Sequence, residues 1–191
     1  MRRRPQRTTV KEILRTALSL EKKTMGLYTQ FARGFRKEEE LRKFWFSMAR
    51  HEAGHIGALA LVESMLQNEP SLAEDSKVWV DPSSVVRLRS LLTAYTKEAK
   101  QGLSAERSFE MAIDVEGSEL EDVVMELLQV VKEKMLRDQA VQLLIHDLSD
   151  LSYMVEKFTH NDALLARADE LVERRVDTLT LQGEKRETSL S

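Results

Sequence analysis

FSMARHEAGHIGAL, residues 46–59, has helical spacing but sets charge into the apolar stripe of that helix. The stripe through it runs Leu41, Trp45, Met48, Glu52, His55, Leu59, Val62 and Leu66. Steps of three and four residues are the period of one α-helical face. Glu52 and His55 therefore stand where the pattern asks for leucine or alanine. A buried charge is costly unless it is paired or bound to metal. Residues at i and i+3 share a face, so Glu52-x-x-His55 offers two donors to one centre.

The same anomaly recurs on either side of this stretch. Glu21 interrupts the stripe Leu14, Ala17, Leu18, Thr24, Met25, Tyr28, Phe31, Phe35, and Glu116 interrupts Phe109, Ala112, Ile113, Leu120, Val123, Leu127, Val131. Asp147 and Asp150 interrupt Leu143, Leu144, Leu151, Met154, Phe158. Thirty-one residues separate Glu21 from Glu52, and thirty-one separate Glu116 from Asp147. A helix pair thus looks as if it were used twice, the first helix with one carboxylate and the second with two donors three apart. Six donors on four helices suit two adjacent divalent ions. Lys22, Arg33, Arg42, Lys43 and Arg50 fall mostly on outward faces, so no cationic stripe answers the carboxylates. Tyr28, two turns from Glu21, either hydrogen-bonds a ligand or packs in the core with its hydroxyl near the polar centre. Trp45, Met48, Met111 and Met154 read as core; His51 and His146, beside the main stripes, read as supporting or exposed histidines.

Local signals mark where the helices begin and end. Thr8 or Thr9 opens the first, and Pro70 closes the second. Asp81-Pro82 starts a third that stops at Gly102. Ser104 caps a fourth, expected to continue through Val131, and a break near Arg137-Asp138 precedes the segment ending at Phe158. Asn161 or Asp162 caps a last helix. The sequence therefore predicts an all-α chain: a four-helix bundle over 8–160, two helix pairs joined by a long crossover. A further C-terminal helix over 161–182 and a disordered polar tail over 183–191 complete it. One crossover is the ferritin-like connectivity among bundles.

The bulk composition agrees. The chain has 191 residues, enough for one well-buried domain, with 7 Gly and 3 Pro. A net charge of -3 gives no reason to expect nucleic acid. No apolar run follows the basic Arg2, Arg3, Arg4 and Arg7, so neither a signal peptide nor a membrane span is expected. With 0 Cys, metal or redox chemistry falls to carboxylates and the 4 His. The default compartment is a reducing cytoplasm.

Four stretches carry a family likeness: ALSLEKKTMGLYTQFA (17–32), FSMARHEAGHIGAL (46–59), FEMAIDVEGSELEDVV (109–124) and LLIHDLSDLSYMV (143–155). The chain resembles the rubrerythrin branch of the ferritin-like superfamily over residues 8–158. In that family each half supplies one helix with Glu and one with Glu-x-x-His. Glu21, Glu52, His55 and Glu116 match position by position; Asp147 stands where the pattern has Glu, and Asp150 where it has His. The resemblance implies a metal centre of Glu21, Glu52, His55, Glu116, Asp147 and Asp150, holding two iron ions. Five carboxylates and one imidazole are a hard, anionic set that also accepts manganese. A weakly binding second half would leave one ion near Glu52 and His55. Without cysteine the rubredoxin-type iron domain of rubrerythrins is absent, so electrons must come from another protein.

The expected function is a di-iron or Mn/Fe carboxylate redox protein, an oxidase or peroxidase type acting on peroxide or oxygen, working as a homodimer. Two alternatives stand beside it: an iron-binding or storage protein, and a structural bundle with a degenerate single-metal site.

Overall fold

The computed structural model describes residues 9–68, 81–118 and 148–187, and these form helices, with short turns at 35–38, 100–104 and 159–161. Helix α1 spans Val10–Gly34 and α2 spans Glu39–Asn68. Next come α3 (Pro82–Ala99), α4 (Ala105–Glu116), α5 (148–158) and α6 (Asp162–Glu187). The protein is an all-α helical bundle of ferritin-like type.

Capping explains the starts. Thr9 accepts from the Glu12 amide, while the Glu12 carboxylate accepts from the Thr9 amide at 2.9 Å, a reciprocal box that satisfies two donors of the first turn. Asp81 caps α3 with Pro82 at its first position, and Ser104 caps α4. Asn161 accepts from the Leu164 amide at 3.0 Å and opens α6.

A turn over residues 35–38 folds α2 back along α1, and these two helices form the most extensive packing among the described elements. Helix α3, within the crossover, lies on α1 and reaches α4, which in turn meets α6. The core between them is aromatic in the middle. Trp45, 0% exposed, packs edge-on to Phe31 and Phe44 and stacks on Tyr28 at 5.7 Å. Met48, Met111 and Met154 are buried, as expected. Burial of such side chains contributes about 1.5–3 kcal/mol each, which is why the bundle tolerates charge at its centre.

Two expectations change. The fourth helix stops at Glu116, with Gly117 as its C-cap, where a continuous helix through Val131 was expected. Glycine is a poor helix continuer, and here the Gly117 amide turns back to the carbonyls of Ile113 and Val115. The last helix runs to Glu187, beyond the expected end at residue 182, so residues 183–187 are helical instead of a disordered tail. A single Gly183 costs a helix only about 1 kcal/mol, and the Glu, Lys and Arg that follow it are good helix formers. The segment 119–147, with Asp147 and His146, lies outside the described residues. No helix among the described residues is long and apolar enough to cross a membrane.

Candidate metal centre

Three of the expected ligands converge. Glu21 projects from the middle of α1, and Glu52 and His55 project from the middle of α2, one turn apart on the face that meets α1. Their exposures are 0%, 2% and 5%. Donor atoms from the three side chains all lie within 4.8 Å of one another. His55 Nδ1 stands 3.7 Å from Glu21 Oε2 and 3.6 Å from Glu52 Oε2. Both oxygens of Glu21 and Oε2 of Glu52 are buried with no hydrogen-bond donor in ordinary geometry.

Buried acceptors without donors are rare because each forfeits its hydration. Two carboxylates aimed at each other deepen that penalty. Burial, reinforced by the charge of Glu21, raises the Glu52 carboxyl well above the usual range. Burial also opposes ionisation of Glu21, but Glu52 and His55 beside it prevail and hold it below its usual value. The two carboxylates therefore resist being ionised together. A divalent cation would supply the partner that these buried oxygens lack. The residues fit a metal ion: two hard oxygen donors and an imidazole, buried on two rigid helices.

Glu116 and Asp150 lie outside this three-donor group. Glu116, 4% exposed at the end of α4, accepts a 2.5 Å hydrogen bond from the Tyr28 hydroxyl. Tyr28 lies two turns after Glu21 on α1, and its hydroxyl ties Glu116 of α4 to that helix. Tyr28 thus packs in the core against Phe31 and Trp45 and directs its hydroxyl to Glu116. Asp150 is half-buried on α5.

One residue was missed. Arg175 on α6 is 8% exposed and lines a pocket of about 110 Å³ together with Glu116. Lys22, Arg33, Arg42, Lys43 and Arg50 are all exposed as expected, whereas Arg175, on the last helix, is buried. The signal was present: Leu164, Ala168, Leu171 and Arg175 continue one helical stripe.

A family model described as Rubrerythrin matches residues 12–133, more than half of the chain. The chain belongs to the rubrerythrin family. No curated protein and no solved structure matches it. Helices α1 to α4, with Glu21, Glu52, His55 and Glu116, fall within the matched residues, whereas α5 and α6 fall beyond them. Arg175 and Asp150 lie beyond the matched residues.

Proposed function

We propose that this protein is an iron-dependent redox protein that reduces peroxide or oxygen at the Glu21–Glu52–His55 centre. The observation that carries the reading is the buried three-donor group whose carboxylate oxygens lack protein donors. Membership of the rubrerythrin family supports iron, with manganese as the other metal this hard donor set accepts. Glu21, Glu52 and His55 would hold the ion, and the bound metal supplies one-electron chemistry toward the small-molecule oxidant.

The chain's own residues do the rest. The helices hold the donors rigidly, and the Trp45, Tyr28 and Phe31 cluster keeps bulk water from one side. Crowding and burial oppose the ionisation of Glu52 beside Glu21, a penalty that a bound cation would relieve. Reduction of peroxide to water consumes two electrons and two protons. With no cysteine in the chain to ligate a second iron centre, a separate donor protein supplies the electrons.

Anaerobic loading with Fe(II), followed by peroxide under optical detection, tests the reading. Rapid oxidation of bound iron by peroxide, abolished in Glu52→Ala, is the expected result. Bound iron that peroxide oxidises no faster than free Fe(II) would leave a metal-binding bundle without this activity.

A further inference from the structure

Phe46 is 65% exposed on α2, next in sequence to the fully buried Trp45. A lone exposed apolar side chain is ordinary, but the setting of this one is charged. Residues three and four apart share a helix face, which places Arg42, Lys43 and Arg50 around Phe46, all of them exposed. Glu39 is bridged to Lys43 at 2.6 Å. From Leu41 to Val62 the only carboxylate is Glu52, which faces inward and is buried. An aromatic ring therefore stands in a local field of positive charge, on a chain whose net charge is -3.

The same face continues without bulk. Phe46, Arg50, Ala53, Gly57 and Leu61 follow one another at helical steps, and all are exposed. A Cβ added at Gly54 or Gly57 would meet nothing within 4 Å. Glycine inside a helix costs about 1 kcal/mol relative to alanine, and the smallness of these two answers no packing among the described residues. A flat track of this kind lets another surface come close to the backbone. Positive charge extends beside it: Arg15, Lys22 and Arg33 share one exposed face of α1, and Arg15 Nε approaches Glu63 of α2 at 4.0 Å. Phe46 precedes Glu52 by six residues, about 9 Å along the axis. The width of one helix, about 10 Å, separates this face from the one that carries Glu52 and His55.

We propose that this outward face of α2 docks the electron-donating protein, and that the donor is a small acidic one-electron carrier. Its carboxylates pair with Arg42 and Arg50, and an apolar spot beside its redox group covers Phe46. Aromatic and arginine side chains dominate binding energy at protein interfaces, and the charges around them speed encounter and reject carriers of the wrong sign. Each encounter passes one electron from the reduced carrier to the oxidised centre, with no bond made or broken, so two encounters serve each peroxide. The inference rests on the redox reading above, which calls for electrons from outside the chain.

The probes are an acidic plant-type ferredoxin and, as a carrier of opposite charge, cytochrome c. By calorimetry, oxidised ferredoxin is expected to bind the full chain at low salt and to release as salt rises. Phe46→Ala and Arg50→Glu should each weaken binding about tenfold. Gly57→Gln keeps the fold, since glutamine is the better helix former, but its side chain stands on the track and should weaken binding as well. Arg89→Glu makes the same charge change on α3 and is expected to alter affinity by less than about threefold. With iron loaded, the α2 substitutions should slow re-reduction by reduced ferredoxin and leave peroxide oxidation of preloaded Fe(II) unchanged. No binding of ferredoxin, equal binding of cytochrome c, or equal weakening in Arg89→Glu and Arg50→Glu overturns the inference. A dimer in sedimentation that Phe46→Ala dissociates assigns the face to a second copy and also overturns it. Anionic vesicles that displace ferredoxin do the same. Ferredoxin bound as expected, with iron that peroxide oxidises no faster than free Fe(II), overturns the proposed function and leaves the docking surface standing.

Discussion

Tyr28 on α1 donates its phenolic hydrogen to Oε1 of Glu116 on α4, joining residues 88 positions apart in sequence. Both are buried, so neither has water as a substitute partner. Hydrogen bonds to charged groups contribute about 1.5–3 kcal/mol. Tyr28→Phe is expected to lower stability by about 2 kcal/mol in urea unfolding, with little change in the exposed surface that sets the m-value. A loss under about 0.5 kcal/mol would mean that the bond adds nothing to the fold.

Metal should stabilise the protein, because folding brings together donors that are scattered in the unfolded chain. At a free-ion concentration a hundred times the dissociation constant, the gain is about 2.7 kcal/mol. Fe(II) or Mn(II) is expected to raise the melting temperature under anaerobic conditions, and Glu52→Ala to abolish the rise. An unchanged melting temperature with either ion would sink the metal centre.

Metal affinity should rise with pH. Glu52 has its carboxyl raised by burial and by Glu21, so its folded pKa lies above the unfolded value. The raised group adds stability to the metal-free fold below the unfolded pKa, and that contribution is lost as pH rises through the folded pKa. Metal displaces the same proton, so binding tightens across the same window. Calorimetry in buffers of differing ionisation enthalpy should show proton release on binding that shrinks as the pH rises, whereas binding heats independent of the buffer would count against it.

Tyr95 gives a second pH signature, away from the centre. Burial and then the Asp114 carboxylate, to which it donates, push its hydroxyl up to about 12. The folded pKa exceeds the unfolded one, so its contribution is intact below pH about 10 and disappears as pH climbs toward the folded value. Alkaline unfolding of Tyr95→Phe should therefore be shallower than that of the unaltered protein between these limits. Parallel curves would show that the Tyr95–Asp114 bond does not tie α3 to α4.

Gly117 marks where α6 crosses α4. A methyl there would sit 2.9 Å from the Ile113 carbonyl oxygen, which is backbone and cannot turn aside. Gly117→Ala is expected to cost about 1–3 kcal/mol in denaturant unfolding. A neutral or stabilising effect would mean that the last turn of α4 and the Leu171 side chain yield to the methyl without cost.

The sequence by itself determined the helices, their caps and the first half of the centre. Helical period and capping are local, so Thr9, Asp81 and Ser104 announce helix starts without knowledge of the rest of the fold. Glu21, Glu52 and His55 were legible because a charge in an apolar stripe is an anomaly of the stripe itself. The end of α4 at Gly117, the bond from Tyr28 to Glu116 and the burial of Arg175 beside Glu116 were decided only by the tertiary structure. Each depends on which distant helix crosses which, and Arg175 shows why. Its stripe is visible in the sequence, but an arginine at the next step of an apolar face reads as the solvent end of that face. Only the packing of α6 against α4 buries it.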